Sequence, residues 1–162
     1  MCVWCGGVPL GDLNERYCCL FHAYSELTWL ADNLDGLWAP ELDGLDDVGA
    51  WNFLDGLLFG HHGDVPVADD RSIEECQRDS KRWGCFSFLT NWGEQFDGYK
   101  SFILCPPGEY ARILSRSVTP PSVSGFSITR TGFKLATAGF AKWFELESLR
   151  LGIPAIQTNE KR

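Results

Sequence analysis

No apolar run in this sequence approaches the roughly 20 residues needed to cross a bilayer as a helix. The first residues lack the basic start, apolar stretch and small-residue cleavage site of a secretory leader. Cations are scarce: 14 Lys and Arg stand against 22 Asp and Glu, a formal net charge of −8. That balance argues against a nucleic-acid binder, which needs cations facing phosphate. An even, spaced set of cysteines is missing too. There are seven, and Cys18 and Cys19 are adjacent, so a disulfide framework is not expected. The reading is a reduced, cytosolic chain. No glycine loop leads into Lys-Ser/Thr, so no phosphate-binding motif is present.

Aromatic residues are abundant, with seven Trp and eleven Phe among 162 residues. Disordered chains are poor in such residues, and the length suits one domain with a real core. The negative charge is unevenly placed. Residues 32–75 hold twelve carboxylates and a single cation, Arg71, for a net −11, while the remainder is +3. Such a block suits a partner with a basic surface, or a solvated acidic face.

Near the start, "VWCGGVPL" places Gly6-Gly7 between two short apolar runs, a hairpin signal. The stretch "YCCLFHAYSELTWLADNL" repeats apolar residues at helical spacing through Tyr17, Leu20, Phe21, Tyr24, Leu27, Leu30 and Leu34. A second helix fits "DDVGAWNFLDGLLFG", capped by Asp46 or Asp47, with Val48, Trp51, Leu54, Leu57 and Leu58 inward and Gly60 as the stop. His61 to Asp70 reads as a polar loop. Ser72 with Glu75 forms a capping box for a third helix ending near Gly84. From Cys85 the runs "CFSFLTNW", "YKSFILCPP" and "YARILSRS" read as an antiparallel meander, with Asp97-Gly98 as a tight turn and Pro106-Pro107-Gly108 as another. A Ser/Pro-rich link and a short "FSIT" strand lead to a last helix, with Phe133, Ala136, Phe140, Trp143, Phe144, Leu146 and Leu149 as its stripe. The expected architecture is α+β, an antiparallel sheet of hairpin and meander packed with about four helices, as one domain over residues 1–152 with a loose tail at 153–162.

Zinc is the first chemistry to weigh. Cys2 and Cys5 have knuckle spacing, and Cys19 with His22 is the best second pair. Cys19 and His22 fall inside the strongest helical pattern, however, which favours the hairpin reading of Gly6-Gly7. A thiol nucleophile needs a positioned base, and nothing in the spacing brings a cysteine to His22, His61 or His62. The paired carboxylates Asp46-Asp47, Asp69-Asp70 and Glu74-Glu75 sit in loops or at helix starts, where they favour helix dipoles. No enzymatic motif, metal set or cofactor site emerges. The alternative reading is a small zinc- or thiol-dependent protein using Cys2, Cys5, Cys19 and His22.

The order of pieces resembles a known family. The hairpin "VWCGGVPLGD" is followed by an amphipathic helix, "FLDGLLFG", the block "FSFLTNWGEQFDGYKSFILCPPGEYARILSR" and a helix with "FAKWFE". Together these are similar to the bacterial immunity proteins of polymorphic toxin and contact-dependent inhibition systems, most of all the group called Immunity protein 42. Members usually carry a strand ahead of the hairpin, whereas this chain opens within it. The resemblance implies an antitoxin without catalytic residues that binds a cognate toxin, such as a nuclease or NAD-using domain, through a surface shaped to it. It implies no contact with nucleic acid or membrane. The candidate toxin-binding residues are Asp32, Asp35, Trp38, Glu41, Asp43, Asp46 and Asp47 in one stretch and Asp64, Asp69 and Asp70 in a second. Trp92 and Glu94 lie ahead of the Asp97-Gly98 turn. Trp38, between Gly36 and Pro40 and off the periodic stripe, is the expected anchor.

Overall fold

The protein is described from a computed structural model that covers residues 2–15 and 17–153. Strands β1 (Val3–Cys5) and β2 (Val8–Leu10) pair antiparallel with Cys5 opposite Val8. Gly6 and Gly7, at φ 57° and 83°, supply the two left-handed residues that a type I′ turn requires. The predicted hairpin is therefore present, but it forms its own two-stranded sheet and does not join the meander. Its alternation buries Cys5 and Leu10 and leaves Trp4 exposed.

Helix α1 spans Leu20–Asn33, starting later than the sequence pattern predicts. The Cys19 amide donates to the Trp92 carbonyl at 2.7 Å, which holds the preceding residues against the 89–98 segment. Tyr17 and Phe21, expected in the core, are consequently exposed, while Ala23, Tyr24, Leu30 and Ala31 face inward. Helix α2 spans Asp47–Phe59. The Asp46 carboxylate accepts from the Gly49 amide at 2.7 Å, the cap the sequence indicates. Trp51 and Leu54 are buried as expected, whereas Val48, in the first turn, is exposed. The supposed loop after α2 contains a minimal hairpin, β3 (His61–His62) with β4 (Val65–Pro66). Helix α3 spans Ile73–Trp83, and both halves of the Ser72/Glu75 capping box are formed.

The main sheet has the order β5-β6-β7-β8, all antiparallel: β5 (Ser87–Phe88), β6 (Tyr99–Leu104), β7 (Tyr110–Ser117) and β8 (Ser122–Thr129). The last four residues of the segment read as a Ser/Pro-rich link, Ser122 to Gly125, are thus the first half of β8. Helix α4, Arg130–Arg150, follows directly, capped by Thr129 through the Gly132 amide.

Side-chain alternation in β6 and β7 serves two faces. On one, Phe102 meets Trp51 of α2 at 5.8 Å, and the Trp51 indole donates to the Lys100 carbonyl at 3.1 Å. On the other, Phe88 packs against Phe133 of α4, and α1 joins α4 through stacked Tyr24 and Phe144. The sheet is covered on both sides, which explains why Ser101 to Cys105 are all buried. One continuous apolar core results. The α4 stripe departs from expectation. Phe133, Thr137, Phe144 and Ser148 face inward, while Ala136, Trp143, Leu146 and Leu149 are exposed. The helix runs 21 residues, and α1 is its one helical neighbour of substance among the described residues.

The Asp97-Gly98 reading is corrected. Strands β5 and β6 are joined by residues 89–98, which contain a short 3-10 turn at Glu94–Phe96. Gly98 is not in the left-handed region. Leu89, Asn91 and Gly93 are, so the bend lies earlier than the Asp-Gly pair suggests. Among the described residues, no helix is long and apolar enough to cross a membrane. The expected tail lies, beyond Ile153, outside the described residues.

Candidate functional site

The acidic segment does not survive folding as an acidic face. Arginines from distant positions reach into it. Asp47, opening α2, pairs with Arg112 of β7, and Asp64, between β3 and β4, pairs with Arg116 four residues along that strand at 2.6 Å. Asp35 pairs with Arg130 at the start of α4, and Glu41 with Arg82 of α3 at 2.5 Å. Asp69 and Asp79 both hold Arg71, each at 2.7 Å. Asp55, fully buried, accepts from Lys100 at 2.7 Å and from the Gly63 amide at 2.8 Å. The contacts of Asp47, Asp55 and Asp64 tie α2 and the hairpin after it to the sheet, and the others join loops to α3 and α4. Half of the twelve carboxylates in residues 32–75 are thereby matched to a cation.

Their electrostatics follow the contacts. Hydrogen bonds from Arg71 hold the Asp69 carboxyl at about 2. Arg116 lowers Asp64, and Glu41 is lowered by its own backbone amide and by Arg82. Asp46 is occupied as a helix cap. Of the predicted binding carboxylates, Asp32, Asp43 and Asp70 make no ion pair among the described residues and are exposed.

The predicted aromatic contacts fare differently. Trp92 is fully buried between Phe88 and Phe96, and its indole donates to Glu26 at 2.7 Å. It is a core residue and cannot anchor a partner. Position relative to a turn suggested exposure, but the turn is elsewhere. Trp38 is half-buried and packs against the core between Leu37 and Ala39, so it offers only part of its surface.

Glu94 leads to a place the sequence pattern missed. The Asp12 amide donates to the Gln95 carbonyl at 2.7 Å, and the Gln95 side chain donates to the Glu15 carbonyl at 2.6 Å. These bonds dock the segment after β2 onto the 3-10 turn before β6. They gather Asp12, Glu15, Glu94 and Asp97 around an open cleft of about 420 Å³, with Tyr99 on its wall. None of the four carboxylates forms an ion pair among the described residues. The Asp12 side chain accepts from Asn14 alone, through its backbone and side-chain amides. The two carboxylate pairs are about 80 positions apart, so no local spacing could have joined them.

Chemistry of other kinds finds little assembled. Among the described residues, no three His, Cys, Asp or Glu side chains converge into a metal-ligand set. Cys5 is buried in the hairpin, and burial pushes its thiol up to about 11, against thiolate formation. The Cys2 thiol donates to the Leu10 carbonyl at 3.1 Å, Cys19 is exposed ahead of α1, and His22 lies within α1. His61 Nδ1 is 2.7 Å from the Phe59 carbonyl at the end of α2. Comparison with known proteins adds no relative: no family model, curated protein or solved structure matches this chain.

Proposed function

We propose that this protein is a non-enzymatic immunity protein that binds and neutralises a cognate secreted bacterial toxin domain in the cytosol. The observation that carries the reading is the cleft of Asp12, Glu15, Glu94 and Asp97, an open concavity with four carboxylates and no cation paired to them among the described residues. The fold has spent Arg71, Arg82, Arg112, Arg116 and Arg130 on internal pairs. Among the described residues, what is left to face a partner at this cleft is negative. A basic cleft, as in a toxin that cuts nucleic acid or uses NAD, is its electrostatic complement. Exposed Asp32, Asp43 and Asp70 add long-range attraction without needing to be touched.

The test is co-expression with the C-terminal domain of any large secreted protein found encoded by the neighbouring reading frame, with growth as readout, followed by association kinetics at two ionic strengths. Wild type restores growth, and its on-rate falls as salt rises. Glu94→Lys with Asp97→Lys slows association and leaves the melting temperature unchanged. A toxin that is bound equally well at both ionic strengths and by the double variant removes the cleft from the interface. A toxin that is not bound at all removes the function.

A further inference from the structure

The outermost strand of the main sheet presents an unpaired edge beside an apolar cavity. Strand β8 has a neighbour on one side only. Two flanking bonds fix which of its residues point outward. The Val118 amide donates to Gly98 on the β6 side, and the Arg130 amide donates to Glu109 on the β7 side. Backbone direction alternates along a strand. Ser122, Ser124, Phe126 and Ile128 therefore bond β7, opposite Ser117, Ser115, Ile113 and Ala111. Val123, Gly125 and Ser127 turn their N–H and C=O groups away from the sheet, and these groups have no backbone partner among the described residues. Most natural edges of this length are blunted by charge, proline or a bulge. β8 reads SVSGFSIT, with none of the first two, and pairs without interruption over eight residues.

Next to Phe126, Ser127 and Ile128 lies a cavity of about 340 Å³. The hairpin residues Trp4 and Cys5 form one wall, Phe133 and Phe140 of α4 the other, and Leu27 closes it. No carboxylate, ammonium or guanidinium lines it.

We propose that the β8 edge and this cavity accept an extended, uncharged segment of a partner polypeptide as a fifth strand, with one of its apolar side chains in the cavity. The proposal rests on the reading of the protein as a binder of a protein toxin and names the kind of segment bound. The exposed N–H and C=O groups of alternate residues are matched by another extended backbone, and main-chain bonds of this kind give affinity while a side-chain pocket gives selectivity. Charge complementarity selects the sequence: β8 carries no charged side chain, the Asp47 carboxylate that lies over Gly125 is already paired with Arg112, and nothing charged lines the cavity, so a charged side chain would be desolvated without a free counterpart. A second copy of this chain fits less well. Its own Phe126 and Ile128 already line its own cavity, so pairing two β8 edges would leave both cavities unfilled.

The experiment is selection from a displayed library of random octapeptides on the full chain, followed by synthesis of the best binder with each backbone amide N-methylated in turn. The expected peptides carry no charge over their central residues and have apolar residues at every second position. N-methylation weakens binding on the order of tenfold at alternate positions and has little effect at the ones between, the signature of a lost backbone bond. Ser127→Pro removes an outward N–H and no bond of the sheet. It is expected to weaken binding by a similar factor with melting unchanged. The methylation scan uses wild type, so a variant that fails to fold does not remove the test. No enrichment, charged peptides, or a scan without the two-residue period overturns the proposal. So does a wild-type dimer that Ser127→Pro converts to monomer, which assigns the edge to a second copy. A toxin bound equally by wild type and a folded Ser127→Pro also overturns it and leaves the immunity reading standing. A toxin not bound at all defeats that reading, and the peptide selection then decides the edge by itself.

Discussion

Substituting Gly93 and Gly98 separately distinguishes the observed link between β5 and β6 from the tight Asp-Gly turn that the sequence suggests. Gly93 has φ 114° and ψ 173°, a region essentially restricted to glycine. A Cβ there would lie 2.8 Å from the Tyr17 carbonyl oxygen, 3.0 Å from the Cys18 Cα and 3.2 Å from the Cys19 nitrogen. All three are backbone atoms, so no side chain can swing aside. The conformational strain alone costs about 1–3 kcal/mol. Displacing residues 17–19 also weakens the Cys19 to Trp92 bond, a further ~1 kcal/mol. Gly93→Ala is therefore expected to destabilise by about 2–4 kcal/mol, out of a typical total of about 5–15. For a chain of this size that lowers the melting temperature by about 5–15 °C. Gly98 meets nothing within 4 Å and has no left-handed φ, so Gly98→Ala should change stability by less than about 1 kcal/mol in either direction. Urea unfolding of the two variants beside wild type is the assay. Equal losses, or a larger loss for Gly98→Ala, would refute the argument and restore the Asp97-Gly98 turn. Since the same link holds Gln95 under Asp12, folded Gly93→Ala should also loosen the acidic cleft, seen as faster exchange of the Asp12 amide.

Trp92→Ala should cost about 3–5 kcal/mol in denaturant unfolding, the range for emptying a large aromatic site; a variant as stable as wild type would return Trp92 to the surface. The Asp69 carboxyl, held at about 2 against an ordinary 3.8, stabilises the fold above the unfolded value and loses that effect as pH falls towards 2. The stability gap between wild type and Arg71→Gln should accordingly be full above about pH 4, narrow towards pH 2 to the part carried by the Arg71 bonds to the Leu57 and Gly56 carbonyls, and shrink in high salt; a gap independent of pH would contradict the pairing. Cys2→Ser should be close to neutral, whereas Cys5→Ser, placing a hydroxyl in the core, should cost about 1–2 kcal/mol. Both effects should be the same with chelator or added zinc, and a wild-type melting temperature lowered by chelator would favour a metal role for the cysteines.

The sequence by itself determined what depends on a few neighbouring residues. Gly6-Gly7 turns the hairpin because two successive residues must adopt positive φ. Asp46 and the Ser72/Glu75 box start helices because their side chains reach amides two or three positions on. The aromatic and β-branched runs 99–104 and 110–117 form strands because their backbones suit a buried pleat. Tertiary structure decided what depends on chains meeting from afar. Asp47 and Arg112 are 65 residues apart, and only the placement of α2 across β7 makes them a pair, which turns a block of charge in the sequence into ties between layers. Trp92 looked free because its neighbours are polar and glycine-rich, yet the approach of residues 17–19 closes over that segment. The acidic cleft exists only because Gln95 bonds the chain at Asp12 and Glu15. Local signals fix backbone angles and which face is apolar; which two faces or loops then touch is set by packing of the whole core, and no window of sequence contains it.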